Sequence, residues 1–195
     1  MLATCAAALF AACSHGIDAA EAKAPPSHGA ELGRDSEWGH LVPHIAPAGP
    51  ARTRDGRLDG PVTLWHENGI KAAEGEYRDE QRQGLWRFWH PNGMLRWEGA
   101  FDHGTQVGLQ RAWYANGQMQ YESVWQGGEL DGKFSSWHEN GKLALQCAFL
   151  HGAQSGEVRR WNEDGEFDRF VSGVYRGGDR VAALPPSALE ASAKR

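Results

Sequence analysis

Gly84-Leu85-Trp86-Arg87-Phe88-Trp89-His90-Pro91-Asn92-Gly93 returns 24 residues later as Gly108-Leu109-Gln110-Arg111-Ala112-Trp113-Tyr114-Ala115-Asn116-Gly117. The frame Gly-x4-Trp-x2-Asn-Gly holds in both directions. Gly60, Gly84, Gly108, Gly132 and Gly156 open five units, and Trp65, Trp89, Trp113, Trp137 and Trp161 follow. Asn68, Asn92, Asn116 and Asn140 come next, with Asp164 in the fifth unit. Gly69, Gly93, Gly117, Gly141 and Gly165 close the motif. A fixed period of this size means one supersecondary unit stacked on copies of itself.

Inside each unit, two short runs rich in aromatic and aliphatic residues flank a tight turn, the pattern of a β-hairpin. The turn admits two geometries. A two-residue type I′ loop would place Asn and Gly both at positive φ. A three-residue loop ends a type I turn with Gly in the left-handed region, and Pro91 suits the first central position of that turn. The three-residue loop sets Trp65 opposite Lys71. Simple alternation then places Trp65 on one face with residues 73, 75 and 77, whose columns are mainly apolar or small, so the Trp column is expected in the core. The small column Gly75, Gly99, Ser123 and Cys147 suggests close packing under a large ring. Gly104, Gly128 and Gly152 mark a second turn that joins one hairpin to the next. The expected fold is all-β: an elongated repeat array of about five stacked 24-residue antiparallel hairpins forming one twisted sheet.

The frame also divides the chain. Residues 1–13 read as a lipoprotein-type signal segment, because Leu2 to Ala12 carries no charge and Phe10-Ala11-Ala12-Cys13 has the form of a lipobox. Cys13 is the candidate lipidation site. Residues 14–51, broken by Pro25-Pro26, Pro43, Pro47 and Pro50, read as a disordered tether or irregular cap. Residues 52–178 read as the repeat domain. There the fifth unit slips by two residues before Gly173 and Tyr175 rejoin the pattern, and residues 179–195 read as a tail. The resulting location is the cell envelope, anchored to a membrane by lipid. A secreted or cytoplasmic location is the alternative if Cys13 is not processed.

The motif and its second turn resemble the MORN-repeat variant family over residues 56 to about 178. The resemblance implies an elongated sheet of hairpins and a scaffold rather than an activity. Bacterial members include antitoxins of the YwqK type, many with lipoprotein signals.

Little in the chain points to chemistry. A formal net charge of −5 and a pI near 6.0 argue against nucleic acid. His66, His90 and His138 share a column, but successive units lie roughly 10 Å apart, too far to share a metal. No nucleophile motif or phosphate loop appears, and neither a metal nor a cofactor is expected. The function expected is a non-enzymatic scaffold that binds a partner protein, in one version a toxin. The alternative is a glycan- or lipid-headgroup-binding module. Trp86, Trp97 and Tyr121 are the candidate binding surface for it. The sequence leaves the oligomeric state open.

Overall fold

The computed structural model describes residues 57–184. Eleven strands follow one another: β1 (Gly60–Trp65), β2 (Lys71–Arg78), β3 (Gln81–Trp89), β4 (Leu95–Asp102), β5 (Thr105–Trp113), β6 (Met119–Gln126), β7 (Glu129–Trp137), β8 (Leu143–Leu150), β9 (Ala153–Arg160), β10 (Gly173–Arg176) and β11 (Asp179–Ala182). They pair in chain order into one open antiparallel sheet without a crossover. Contacts between elements are dominated by sequence neighbours, so the array is a single layer. This is the all-β hairpin stack that the period calls for. The signal and tether segments, with Cys13, lie outside the described residues.

The two turns of each unit differ in chemistry. In the first, the Gly69 amide donates to His66 O at 2.9 Å and the His66 amide to Ile70 O at 2.8 Å. Gly69 sits at φ +81°, so the loop has three residues and ends in a left-handed glycine. The second turn has two residues, both at positive φ: Asp79-Glu80, His103-Gly104, Gly127-Gly128 and His151-Gly152. Glu80 adopts this conformation without being a glycine, at φ 65°. The second residue of each such turn also donates its amide to the previous unit: Glu80 to Leu58 O, Gly104 to Arg82 O and Gly128 to Gln106 O.

Two bulges per unit bend the strands and decide which residues share a face. One lies between Glu74 and Glu76 opposite β3, where Gly84 takes φ +69°. The other lies beside the repeated Trp: Trp65 pairs Lys71, but Leu64 pairs Ala73. The extra residue, Ala72, breaks the simple alternation. Leu64, not Trp65, therefore shares a face with Ala73, Gly75 and Tyr77. The same offset recurs at Phe88/Trp89, Ala112/Trp113 and Ser136/Trp137. Burial agrees with the register: Leu64, Phe88, Ala112 and Ser136 are buried, while Trp65, Trp89, Trp113 and Trp137 are half-buried. The expectation that the Trp column joins the core is corrected by this bulge. Trp161 differs, because it pairs with Phe167 in the irregular fifth loop and is buried.

The core lines the other face. Trp86 is 1% exposed and lies flat on Gly75, where an added Cβ would meet its ring at 2.2 Å. That is the close approach the small column provides. Tyr77, Phe88 and Phe101 surround Trp86 at centroid distances of 5.0, 6.0 and 6.5 Å. The Arg82 guanidinium stacks over the same group, 4.7 Å from Trp86 and 5.3 Å from Phe101. Burial pushes its pKa down and Tyr77 works against that shift. At the C-terminal end the sheet passes residue 178, since β11 pairs with β10 and Leu184 is buried. Residues 179–184 thus belong to the array, as the start of a sixth unit, rather than to a tail.

Candidate functional site

The candidate site is the sheet face opposite the aromatic core, together with the first-turn row along one side. Strand pairing assembles that face from columns scattered through the sequence. Glu74 pairs Arg87, Arg87 pairs Glu98, Glu98 pairs Arg111 and Arg111 pairs Glu122. The signs alternate across five strands, so Arg87, Glu98 and Arg111 each lie between opposite charges. Lys71 Nζ to Glu74 is 2.9 Å, Arg87 to Glu74 3.3 Å and to Glu98 3.5 Å, and Arg111 to Glu98 3.5 Å and to Glu122 2.9 Å. Hydrogen bonding from Lys71 first, then Arg87, holds the Glu74 carboxyl below its ordinary value, with burial opposing. The Arg111 guanidinium is raised, chiefly by its bond to Glu122.

Two residues from this ladder, toward the second turns, lie two apolar pairs, Leu85 with Ala100 and Leu109 with Val124. Leu85 is 48% and Leu109 43% exposed. On the other side of the ladder lies the half-buried Trp row, with Lys71 Nζ 5.0 Å from the Trp89 ring. A cation over an exposed ring contributes about 0.5–1 kcal/mol.

The first-turn row is a chain of staples between units. Asn68 Oδ1 accepts from the Ile70 amide at 3.1 Å, within its own turn, while Asn68 Nδ2 donates to Pro91 O of the next turn at 2.7 Å. Asn92, Asn116 and Asn140 repeat both bonds, the second reaching Ala115 O, Glu139 O and Glu163 O. His66 Nε2 meets Trp89 O at 2.8 Å, His90 Nε2 meets Trp113 O at 2.8 Å and His138 Nε2 meets Trp161 O at 3.0 Å. A carbonyl only accepts, so each imidazole donates from Nε2. Tyr114 Oη fills the same role to Trp137 O at 2.9 Å. The His column is therefore a set of bonds from each unit to the next, and His66 is itself buried. Sequence reasoning missed this second function of the His and Asn columns. The signal was the shared period, but the acceptors are backbone carbonyls that carry no side-chain signature. In the fifth unit Asn162 binds Glu166 within its own loop at 3.1 Å, and Asp164 replaces the Asn. The staple ends there.

The residues expected as an aromatic binding surface lie elsewhere. Trp86, Trp97 and Tyr121 are 1%, 3% and 3% exposed and belong to the core cluster. They offer no ring face to a ligand, and that assignment is corrected. The bulge is again the reason for Trp86, which counting in twos from Trp89 sets on the opposite face from the core, whereas Trp97 and Tyr121 stand in the column of Ala73, on the apolar face from the start. Cys147 is buried, at the position paired with Phe134. Among the described residues no cluster of His, Cys, Asp and Glu could hold a metal ion. No helix there is long and apolar enough to cross a membrane.

The family model of the MORN repeat variant matches residues 58–79, 82–101, 106–126 and 130–151. These segments run from β1 to β8, and those from 82, 106 and 130 each begin just after a second turn. The irregular fifth unit is outside them. No curated protein matches the chain. The matched repeats support a repeat scaffold as the coarse functional class.

Proposed function

We propose that the chain is a non-enzymatic scaffold at the cell envelope, anchored through Cys13, whose solvent-exposed sheet face binds a partner protein. The observation that carries this reading is the division of labour between faces. One face spends its aromatic residues on the core, and the other presents a charge ladder beside the exposed Leu85 and Leu109. Ordered alternating charge gives register and partner discrimination, and the adjacent apolar pairs supply area to bury. A toxin neutralised by masking of its surface is one version of such a partner. The glycan-binding alternative loses Trp86, Trp97 and Tyr121 and retains only the half-buried Trp row.

Affinity capture from membrane extracts with the tagged full chain tests the reading. A single stoichiometric protein other than the bait is expected. Retention of polysaccharide with no protein would transfer the function to the glycan alternative. The anchor has its own test: Cys13→Ser should move the protein out of the membrane fraction, and unchanged detergent partitioning would reject lipidation.

A further inference from the structure

We propose that Asn140 is a site of spontaneous conversion to aspartate and isoaspartate, and that this conversion loosens the hold on the fifth turn. Four first turns carry an exposed Asn followed by Gly, at 68–69, 92–93, 116–117 and 140–141. In such a pair the glycine nitrogen can attack the asparagine carboxamide, because glycine has no Cβ to crowd the approach. The Gly141 nitrogen bonds to Asn140 Cγ, the Cγ–Nδ2 bond breaks, and the amide proton leaves with the departing ammonia. A cyclic imide remains. Water opens it at either carbonyl to give aspartate or isoaspartate. One water is consumed, one ammonia is released, and nothing is oxidised or reduced.

The native bonds oppose every part of that attack. The Gly141 amide donates to His138 O at 2.8 Å. Asn140 Oδ1 accepts from the Lys142 amide at 2.9 Å, and Nδ2 donates to Glu163 O at 2.8 Å. Cyclisation therefore proceeds from the open turn, and its rate follows the open fraction. The four turns differ in what lies beyond each. Asn68 bonds to a turn stapled by Asn92, Asn92 to one stapled by Asn116, and Asn116 to one stapled by Asn140. Asn140 bonds to a turn that staples nothing further. There Asn162 Nδ2 donates within its own loop to Glu166, and the Asp164 carboxylate has no donor. Past that turn the sheet narrows, since β9 pairs β10 over Gly173–Tyr175 and β10 and β11 have four residues each. An end unit in a linear array has a neighbour on one side only, so it opens at the lowest cost. Asn140 is thus the Asn-Gly pair most often free to cyclise.

Either product undoes the staple. Aspartate sets a carboxylate oxygen against Glu163 O, and both only accept. It also adds a negative charge beside the exposed Glu139 and Glu163. Isoaspartate routes the main chain through Cβ and Cγ, which lengthens the three-residue loop and draws Gly141 away from His138 O. The bonds from His138 to Trp161 O and from Lys142 Nζ to Asp164 O remain, so the fifth turn loosens while the sheet stays folded.

The test incubates the full 195-residue chain in warm, mildly alkaline buffer, with and without urea. Peptide mass spectrometry and isoaspartyl methyltransferase labelling follow each Asn-Gly pair. In urea all four should convert at similar rates, since each is the same dipeptide. In the native chain Asn140 should convert at least about tenfold faster than Asn68, Asn92 and Asn116, and more slowly than it does in urea. Asp164→Asn adds an Asn-Gly pair with no later first turn to bond, and position 164 should then convert faster than Asn140. After conversion at Asn140, hydrogen exchange should speed up at the Asn162 and Gly165 amides, which bond within the fifth turn, and stay unchanged at the Gly93 amide. Equal native rates at Asn92 and Asn140 overturn the inference, as does an Asn140 that stays intact while the unfolded chain converts fully. A position 164 no faster than Asn140 also overturns it, since the end of the row would then not be the weak point. Unchanged exchange in the fifth turn after conversion overturns the loosening.

Discussion

Replacing Trp86 by Ala removes the ring on which the first two hairpins converge. Trp86 is 1% exposed, with three rings and the Arg82 guanidinium within 6.5 Å of it. Its indole N–H donates to Glu76 O at 3.2 Å. Gly75 lies beneath it and has no side chain to move into the space. The cavity therefore stays open, and the cost belongs in the upper part of the range for a buried large-to-small change, about 3–5 kcal/mol. Arg82 would lose the face over which it stacks and remain buried, which pushes the value upward. Against a total stability of about 5–15 kcal/mol this is a large fraction. The melting temperature should fall by about 3–6 °C per kcal/mol for a domain of this size, so on the order of 10–30 °C. The half-buried Trp113 has the same chemistry on the opposite face, and Trp113→Ala should cost only about 1–2 kcal/mol. Trp161→Ala, at a buried position, should exceed Trp113→Ala. Urea melts of the three variants with a shared slope would measure all three. Equal losses at Trp86 and Trp113 would refute the assignment of faces.

The turn, the staple and the ladder each carry a further expectation. Gly117 sits at φ +86°, and an added Cβ would lie 2.8 Å from Met94 Cε of the preceding turn. Gly117→Val should therefore cost about 2 kcal/mol in a thermal melt, mostly from the left-handed backbone, which Val tolerates poorly. Asn92→Asp keeps the acceptor for the Met94 amide but sets a carboxylate oxygen against Ala115 O, 2.7 Å away in the native bond; a loss of about 1–2 kcal/mol is expected, against little change if the staple is unimportant. The Glu74 carboxyl is held low by Lys71 and then Arg87, so its stabilisation is complete above the ordinary carboxyl pKa and is lost as pH falls through the lower folded value. The stability gap between the wild type and Glu74→Gln, measured by urea melts, should be full at pH 7 and close as pH falls below the ordinary carboxyl range.

Much of this fold was legible because its information is periodic. The 24-residue interval gives the stack, and Asn-Gly gives the turn. Pro91 and the side-chain columns favour three residues in the loop, as the structure has it. The faces were not legible for one local reason. Ala72 adds a residue between Lys71 and Ala73, and its column continues as Arg96, Gln120 and Ala144, with no common property to mark a bulge. Counting twos through the strand therefore put the most regular aromatic column on the wrong side. The true core column, Leu64, Phe88, Ala112 and Ser136, fades along the array and gives a weaker signal than the repeated Trp. The ladder is the opposite case. Glu74, Arg87, Glu98, Arg111 and Glu122 look unrelated in sequence, and only register makes them neighbours.

Hydroxyl-radical footprinting with mass spectrometry, read at each tryptophan of the full chain, tests the division into a core face and a solvent face most directly. The account predicts slow oxidation at Trp86 and Trp97, which are 1% and 3% exposed. It predicts faster oxidation at the half-buried Trp89 and Trp113. Faster labelling of Trp86 and Trp97 than of Trp89 and Trp113 would turn the sheet inside out and remove the surface on which the proposed binding depends.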